Sequence, residues 1–202
     1  MAGSATGTGN ITEFNGNYYE FADSNAFYDW ANNLTFVHNS VEGNLVRIDS
    51  AEENAFVLDF ARTNMTIGDQ WIWLGATDAI AEGEWVWEQG SEYFWNGSFD
   101  DGYPITTGYT NFSPIWHVSS NAPDIHDYLA MFVGSDTPYD TYPIFGGEWS
   151  HNRDTGDGNG FPFVIEYQGQ DGFGDGSSSD GTYATGSSAD STLGFGDGSS
   201  AD

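Results

Sequence analysis

Residues 71–90 read WIWLGATDAIAEGEWVWEQG. The two ends of this stretch, WIWL at 71–74 and EWVWE at 84–88, are rich in aromatic and β-branched side chains, which suit a pleated, half-buried surface and predict two strands. Immediately upstream, Ser50 opens a Ser-Ala-Glu-Glu capping box, in which Glu53 is expected to return a bond to the Ser50 amide. Ala55, Phe56, Leu58, Asp59 and Phe60 follow on a short helix. Before that box, GNLVRID at 43–49 predicts a short strand, and NYYEFA at 17–22 has aromatic strand character. Between those two strands, Ser24 is a plausible N-cap for residues 25–36, where Phe27, Trp30, Ala31 and Leu34 fall at helical spacing. A two-helix half thus precedes a strand-rich half.

Downstream, residues 90–122 form a long Gly-, Ser-, Thr- and Asn-rich stretch containing Asp100, Asp101 and two Trp. Loops of that length in compact domains are usually functional or anchored by their own side chains. Three later strands are predicted at 128–133, 147–150 and 161–167.

The composition supports a packed core. Eight Trp, eleven Tyr and fifteen Phe in 202 residues supply far more burial free energy than a disordered chain carries. The charge balance is extreme, with 31 acidic residues against three arginines and a formal net charge of -28. Without lysine the chain cannot neutralise a run of phosphates, which argues against nucleic acid or anionic membrane surfaces as partners. Self-repulsion on this scale implies screening by salt or neutralisation by bound cations. No cysteine is present, so disulfides and thiolate metal sites are excluded. The N-terminal residues 1–10 lack the basic and apolar regions of a secretory signal, and no apolar stretch is long enough to insert into a membrane.

Composition changes abruptly after Tyr167. Residues 168–202 are mostly Gly, Ser, Asp, Thr and Ala and contain GFGDGSSSD at 172–180 and GFGDGSSAD at 194–202. Such a segment cannot build its own core, and the simplest expectation is a linker or tail. The alternative is that its Asp and Ser oxygens chelate calcium, or that it packs on a neighbouring subunit. The expected organisation is therefore a polar arm at 1–9, a globular domain at 10–167 and a low-complexity tail at 168–202.

Seven ordered segments carry a resemblance to a known family. They are YYEF near the start, GNLVRIDSAEEN, WIWLGATDAIAEGEWVWEQG, YTNF at 109–112, APDIHDYLAMF, GEWS at 147–150 and FVIEY at the end. Together they resemble a C-type lectin-like domain of the cysteine-free bacterial or phage kind. The resemblance implies an α+β fold in which the first and last strands pair, two helices flank small antiparallel sheets, and a long loop carries the ligand surface. Where disulfide-bonded relatives place half-cystines, this chain has Tyr128 and Ile165, so apolar packing has to hold those contacts.

The resemblance also bears on metal. The family's sugar-site calcium uses a Glu-Pro-Asn turn, a following Glu and a Trp-Asn-Asp strand, whereas this chain reads Ala122-Pro123-Asp124, His126 and Trp149-Ser150-His151. Most of those oxygen ligands are missing, and calcium needs six to eight. A second, structural calcium position is better kept. Asp78 and Glu82 preserve the family's spacing, Asp127 matches an acid, and Asp124 could add a fourth oxygen, so a structural calcium on Asp78, Glu82, Asp124 and Asp127 is expected. The competing expectation is that Asp78 and Glu82 are solvated turn residues.

His117, His126 and His151 all belong to the long-loop region, and neutral imidazoles suit zinc, copper or nickel. Their scattered spacing is equally that of surface or hydrogen-bonded histidines. Among the loop aromatics, Trp95, Tyr109 and Trp116, with Trp149 and Asp124, are the expected ligand-binding set. Trp and Tyr stack on the C–H faces of sugars, and they are also favoured at protein interfaces. No nucleophile elbow, zinc-protease helix, Walker loop or dinucleotide motif is present, so no enzyme is expected. The expected work is recognition or attachment outside the cell, at a cell surface or a virion surface, through residues 90–127 and toward a glycan or a protein. The alternative is a structural subunit of an extracellular particle or filament that self-assembles through its tail.

Overall fold

The computed structural model describes residues 11–26, 36–38, 41–65, 70–97, 102–113, 126–135, 144–152 and 161–169. It opens with a hairpin absent from the sequence expectation: β1 (Ile11–Phe14) pairs antiparallel with β2 (Asn17–Ala26). The turn is Asn15-Gly16, with positive φ at both residues (52° and 86°), the backbone that a two-residue type I′ turn demands. Asn25 and Ala26 extend β2 instead of entering the expected first helix. The rest of that helix, at 27–35, and the tail from 170 lie outside the described residues.

β3 (Phe36–His38) and β4 (Val41–Leu45) form a second hairpin, and the chain then enters α1 (Ala51–Asn64). The Ser50 hydroxyl accepts from the Glu53 amide at 3.1 Å, as a capping box requires. Its reciprocal bond differs from expectation. Glu53 reaches past the Ser50 amide and accepts from the Asp49 N–H at 2.8 Å, because its other oxygen is held by Tyr19.

β5 (Trp71–Thr77), β6 (Glu84–Trp87) and β11 (Phe161–Tyr167) fall where the aromatic runs predicted strands. Residues 90–122 are not entirely loop. They include β7 (Glu92–Asn96) on β6 and the two-residue β8 (Tyr103–Pro104) on β7. β9 (Tyr128–Phe132) pairs with β10 (Trp149–Asn152) and with β5. Among the described residues the strands join in the order β1-β2-β11-β5-β6-β7-β8, with β4 also on β11 and β9 also on β5.

The C-terminal strand β11 is the hub. It runs antiparallel to β2, placing Ile165 opposite Glu20 and Tyr167 opposite Tyr18, so the two ends of the domain are stitched together as the resemblance implied. Alternate residues of a strand face opposite sides, and β11 sorts accordingly. Val164 joins the larger core with Tyr19, Val57, Trp87 and Trp149, while Phe163, Ile165 and Tyr167 join a smaller one with Leu45 and Trp73. Tyr128 packs against that smaller core and meets Trp73 edge-on at 6.4 Å. Ile165 is thus a core side chain, and Tyr128 is a partly buried one packed against the same cluster.

Candidate functional site

The long-loop end is built on rings. Phe112 sits at the centre of an aromatic cluster, 4.8 Å from Trp95, 6.2 Å from Phe94 and 5.7 Å from Trp149, centroid to centroid. Trp149 is fully buried, and its indole N–H donates to the Asn54 side-chain oxygen at 2.8 Å, which ties β10 to α1. The backbone completes the anchor: Trp149 N–H donates to Asn111 O at 2.8 Å, and Ser113 N–H donates to Trp149 O at 2.9 Å. The segment around residues 109–113 is therefore held on β10 by rings on one side and peptide groups on the other.

This arrangement sorts the expected binding residues. Trp149 is a core anchor, with no surface to offer a ligand. Trp95 is half-buried and its indole donates to Gly97 O at 3.2 Å. Tyr109 is half-buried and meets Trp149 edge-on at 5.6 Å; burial, then the charge of Glu52, pushes its phenol up. Trp116 and Asp124 lie outside the described residues. Two exposed apolar side chains join this end beyond the expected set, Tyr103 on β8 and the adjacent Ile105. The Asn96 amide donates to the Tyr103 hydroxyl at 3.4 Å, so β7 steadies that ring's polar edge.

The expected structural calcium position is partly assembled. Asp78 is buried, its carboxylate accepts from Gly83 N–H at 2.9 Å, and its carbonyl accepts from Ala81 N–H. Asp127 lies beside it through its backbone: its carbonyl accepts from Asp78 N–H at 3.2 Å and from the Thr77 hydroxyl at 2.7 Å. Glu82 is exposed in the same turn. Among the described residues, however, no three His, Asp or Glu side chains gather closely enough to hold an ion. Asp124, the fourth expected ligand, lies outside the described residues, and Asp78 closes its own turn as a hydrogen-bond acceptor.

The histidines divide. The rings of His126 and His151 lie 5.2 Å apart at an interplanar angle of 33°, brought together by the β9–β10 pairing, while His117 is outside the described residues.

Three buried glutamates, Glu20, Glu53 and Glu166, lie where the terminal strands meet α1. Tyr19 donates to Glu53 at 2.6 Å and Tyr167 donates to Glu20 at 2.7 Å. Glu166 accepts from the Asn17 side chain at 2.7 Å and from Arg47 N–H at 3.3 Å. Burial, reinforced by the charge of Glu53, pushes the Glu166 carboxyl up to about 7. Burial also raises Glu53, against the bonds from Tyr19 and Asp49 that favour its charged form. The two described arginines are committed internally: Arg47 bridges Asp49 and Glu92, and Arg62 donates to the carbonyls of Val133 and Gly134. Beside this junction, β1 and α1 border an open groove of about 530 Å³ lined by Ile11, Thr12, Phe56 and Phe60.

No family profile matches the chain. It is 33% identical over 81 residues to an alpha-N-acetylgalactosamine-specific lectin of Patiria pectinifera, covering 40% of this chain and 48% of that protein. It is also 33% identical over 98 residues to halomucin of Haloquadratum walsbyi, covering 46% of this chain and 1% of that one. The chain thus spans about half of the first relative and a small fraction of the second. Among solved structures, a mutant of the lectin CEL-I, a C-type lectin from Cucumaria echinata, superposes with a TM-score of 0.54 over 79% of this chain and 95% of that one, at 19% identity. The domain has a C-type lectin-like fold, and it achieves that fold without a single cysteine.

Proposed function

We propose that this domain is a noncatalytic recognition module acting outside the cell, and that it binds glycan through the face carrying Trp95, Tyr103, Ile105 and Tyr109. The observation that carries this is the contrast within the ring cluster: Trp149 and Phe94 are buried as anchors, while Tyr103, on the strand beside Trp95, and the adjacent Ile105 stay exposed. An apolar ring steadied at its polar edge suits the C–H face of a sugar, with neighbouring amides for its hydroxyls. The specificity named for the Patiria pectinifera relative makes α-N-acetylgalactosamine the first probe. Among the described residues no helix is long and apolar enough to cross a membrane.

The test is retention of the full chain on a glycan array, with and without chelator, beside its mass in solution. Retention by a monomer, insensitive to chelator and lost in Tyr103→Ala or Trp95→Ala at unchanged melting temperature, is the expected result. A chain that ignores every glycan and elutes as an extended self-assembly overturns the proposal in favour of a structural subunit.

A further inference from the structure

We propose that His126 and His151 form a two-imidazole site for a divalent transition metal of the zinc class, at the same end of the domain as the recognition face. Zinc binds imidazole nitrogen at about 2.0–2.1 Å in tetrahedral sites, and a ring centre lies roughly 1.1 Å behind its nitrogen, so two imidazoles on one tetrahedral ion stand with centres about 5.2 Å apart. The observed separation is 5.2 Å.

The scaffold holds the pair from both sides. His151 lies within β10, opposite Leu129, and His126 precedes β9 by two residues, next to the Asp127 carbonyl that Thr77 and Asp78 fix in place. Both side chains are half-buried, which leaves them partly shielded yet reachable. Imidazole selects zinc, nickel or copper over calcium, which prefers hard oxygen ligands. The net charge of -28 raises the concentration of any cation near the surface. Among the described residues no third His, Asp or Glu completes the set.

The experiment is a titration of the untagged full chain with zinc chloride, without saccharide, followed by calorimetry and by the imidazole NMR signals. One equivalent should bind, and the ring signals of His126 and His151 should move together while those of His38 stay put. His126→Ala and His151→Ala should each weaken binding by about tenfold or more, since each removes half of the protein's ligands; His38→Ala should leave it unchanged. Absence of zinc binding, unmoved His126 and His151 signals in the wild-type chain, or wild-type affinity in either variant overturns the proposal. Because no glycan is present, failure here leaves the recognition proposal intact.

Discussion

Two regions of this domain are held by opposite chemistry. Where the terminal strands meet α1, the interior accommodates Glu20, Glu53 and Glu166, each hydrogen-bonded, two of them by buried tyrosine hydroxyls. At the long-loop end the interior is a set of rings around Phe112, and its principal polar bond is the neutral one from Trp149 to Asn54. A carboxylate in a low-dielectric interior is costly unless it is paired or protonated, so the strand junction responds to pH. The indole and phenyl rings around Phe112 carry no group that titrates near neutral pH, so the packing that anchors the recognition face there does not depend on a proton.

The largest way to break this comparison is at the ring end. Trp149→Ala removes a fully buried indole and leaves Asn54 without its donor, which should cost about 3–5 kcal/mol in denaturant unfolding. A loss below about 1 kcal/mol would mean that the ring cluster does not anchor the loop.

The second effect belongs to the strand junction. Glu166 holds its proton more tightly in the folded chain than an exposed glutamate does, so its contribution is fully present below pH 4.5 and is lost as pH rises through about 7. The decline between those limits approaches about 3 kcal/mol. Unfolding midpoints taken from pH 4.5 to 8 should show a steeper fall for the wild-type chain than for Glu166→Gln. Parallel curves would remove Glu166 from the account.

Third, Tyr19→Phe keeps the ring but withdraws the hydroxyl from Glu53, which should cost about 1–3 kcal/mol at neutral pH. Smallest of all, Tyr103→Ala at an exposed position should change stability by no more than about 0.5 kcal/mol while abolishing retention on glycan. A large destabilisation there would show that the exposed rim and the buried anchors are one unit.

How much of this was legible in the sequence follows from which interactions are local. The runs at 71–74, 84–88 and 161–167 announced β5, β6 and β11 because strands with so many buried positions are nearly continuous in apolar residues. Ser50 announced α1 because a cap is a three-residue event. The β1–β2 hairpin was signalled by Asn15-Gly16 and went unread, although that pair is the strongest short-range hairpin signal. β7 was hidden by its setting, since EYFWN lies between Gly- and Ser-bearing flanks that suit a loop. The buried glutamates left no local mark. Glu166 alternates with Ile165 and Tyr167 as an outward-facing acid would, and only the pairing of β11 with β2 and the packing of α1 enclose it. The His126–His151 contact is likewise a product of the β9–β10 register, between residues 25 positions apart in sequence.

The central claim is that ligand meets the ring-anchored end and leaves unaltered. The direct measurement is an NMR titration of the wild-type chain with α-N-acetylgalactosamine, or with whichever glycan the array retains, following both protein and sugar signals. The account predicts shifts confined to Trp95, Tyr103, Ile105, Tyr109 and their neighbours, with Tyr19, Glu53 and Glu166 unmoved and the sugar spectrum unchanged over time. Shifts centred on the terminal-strand junction or on the groove between β1 and α1, or new sugar signals from turnover, would contradict it.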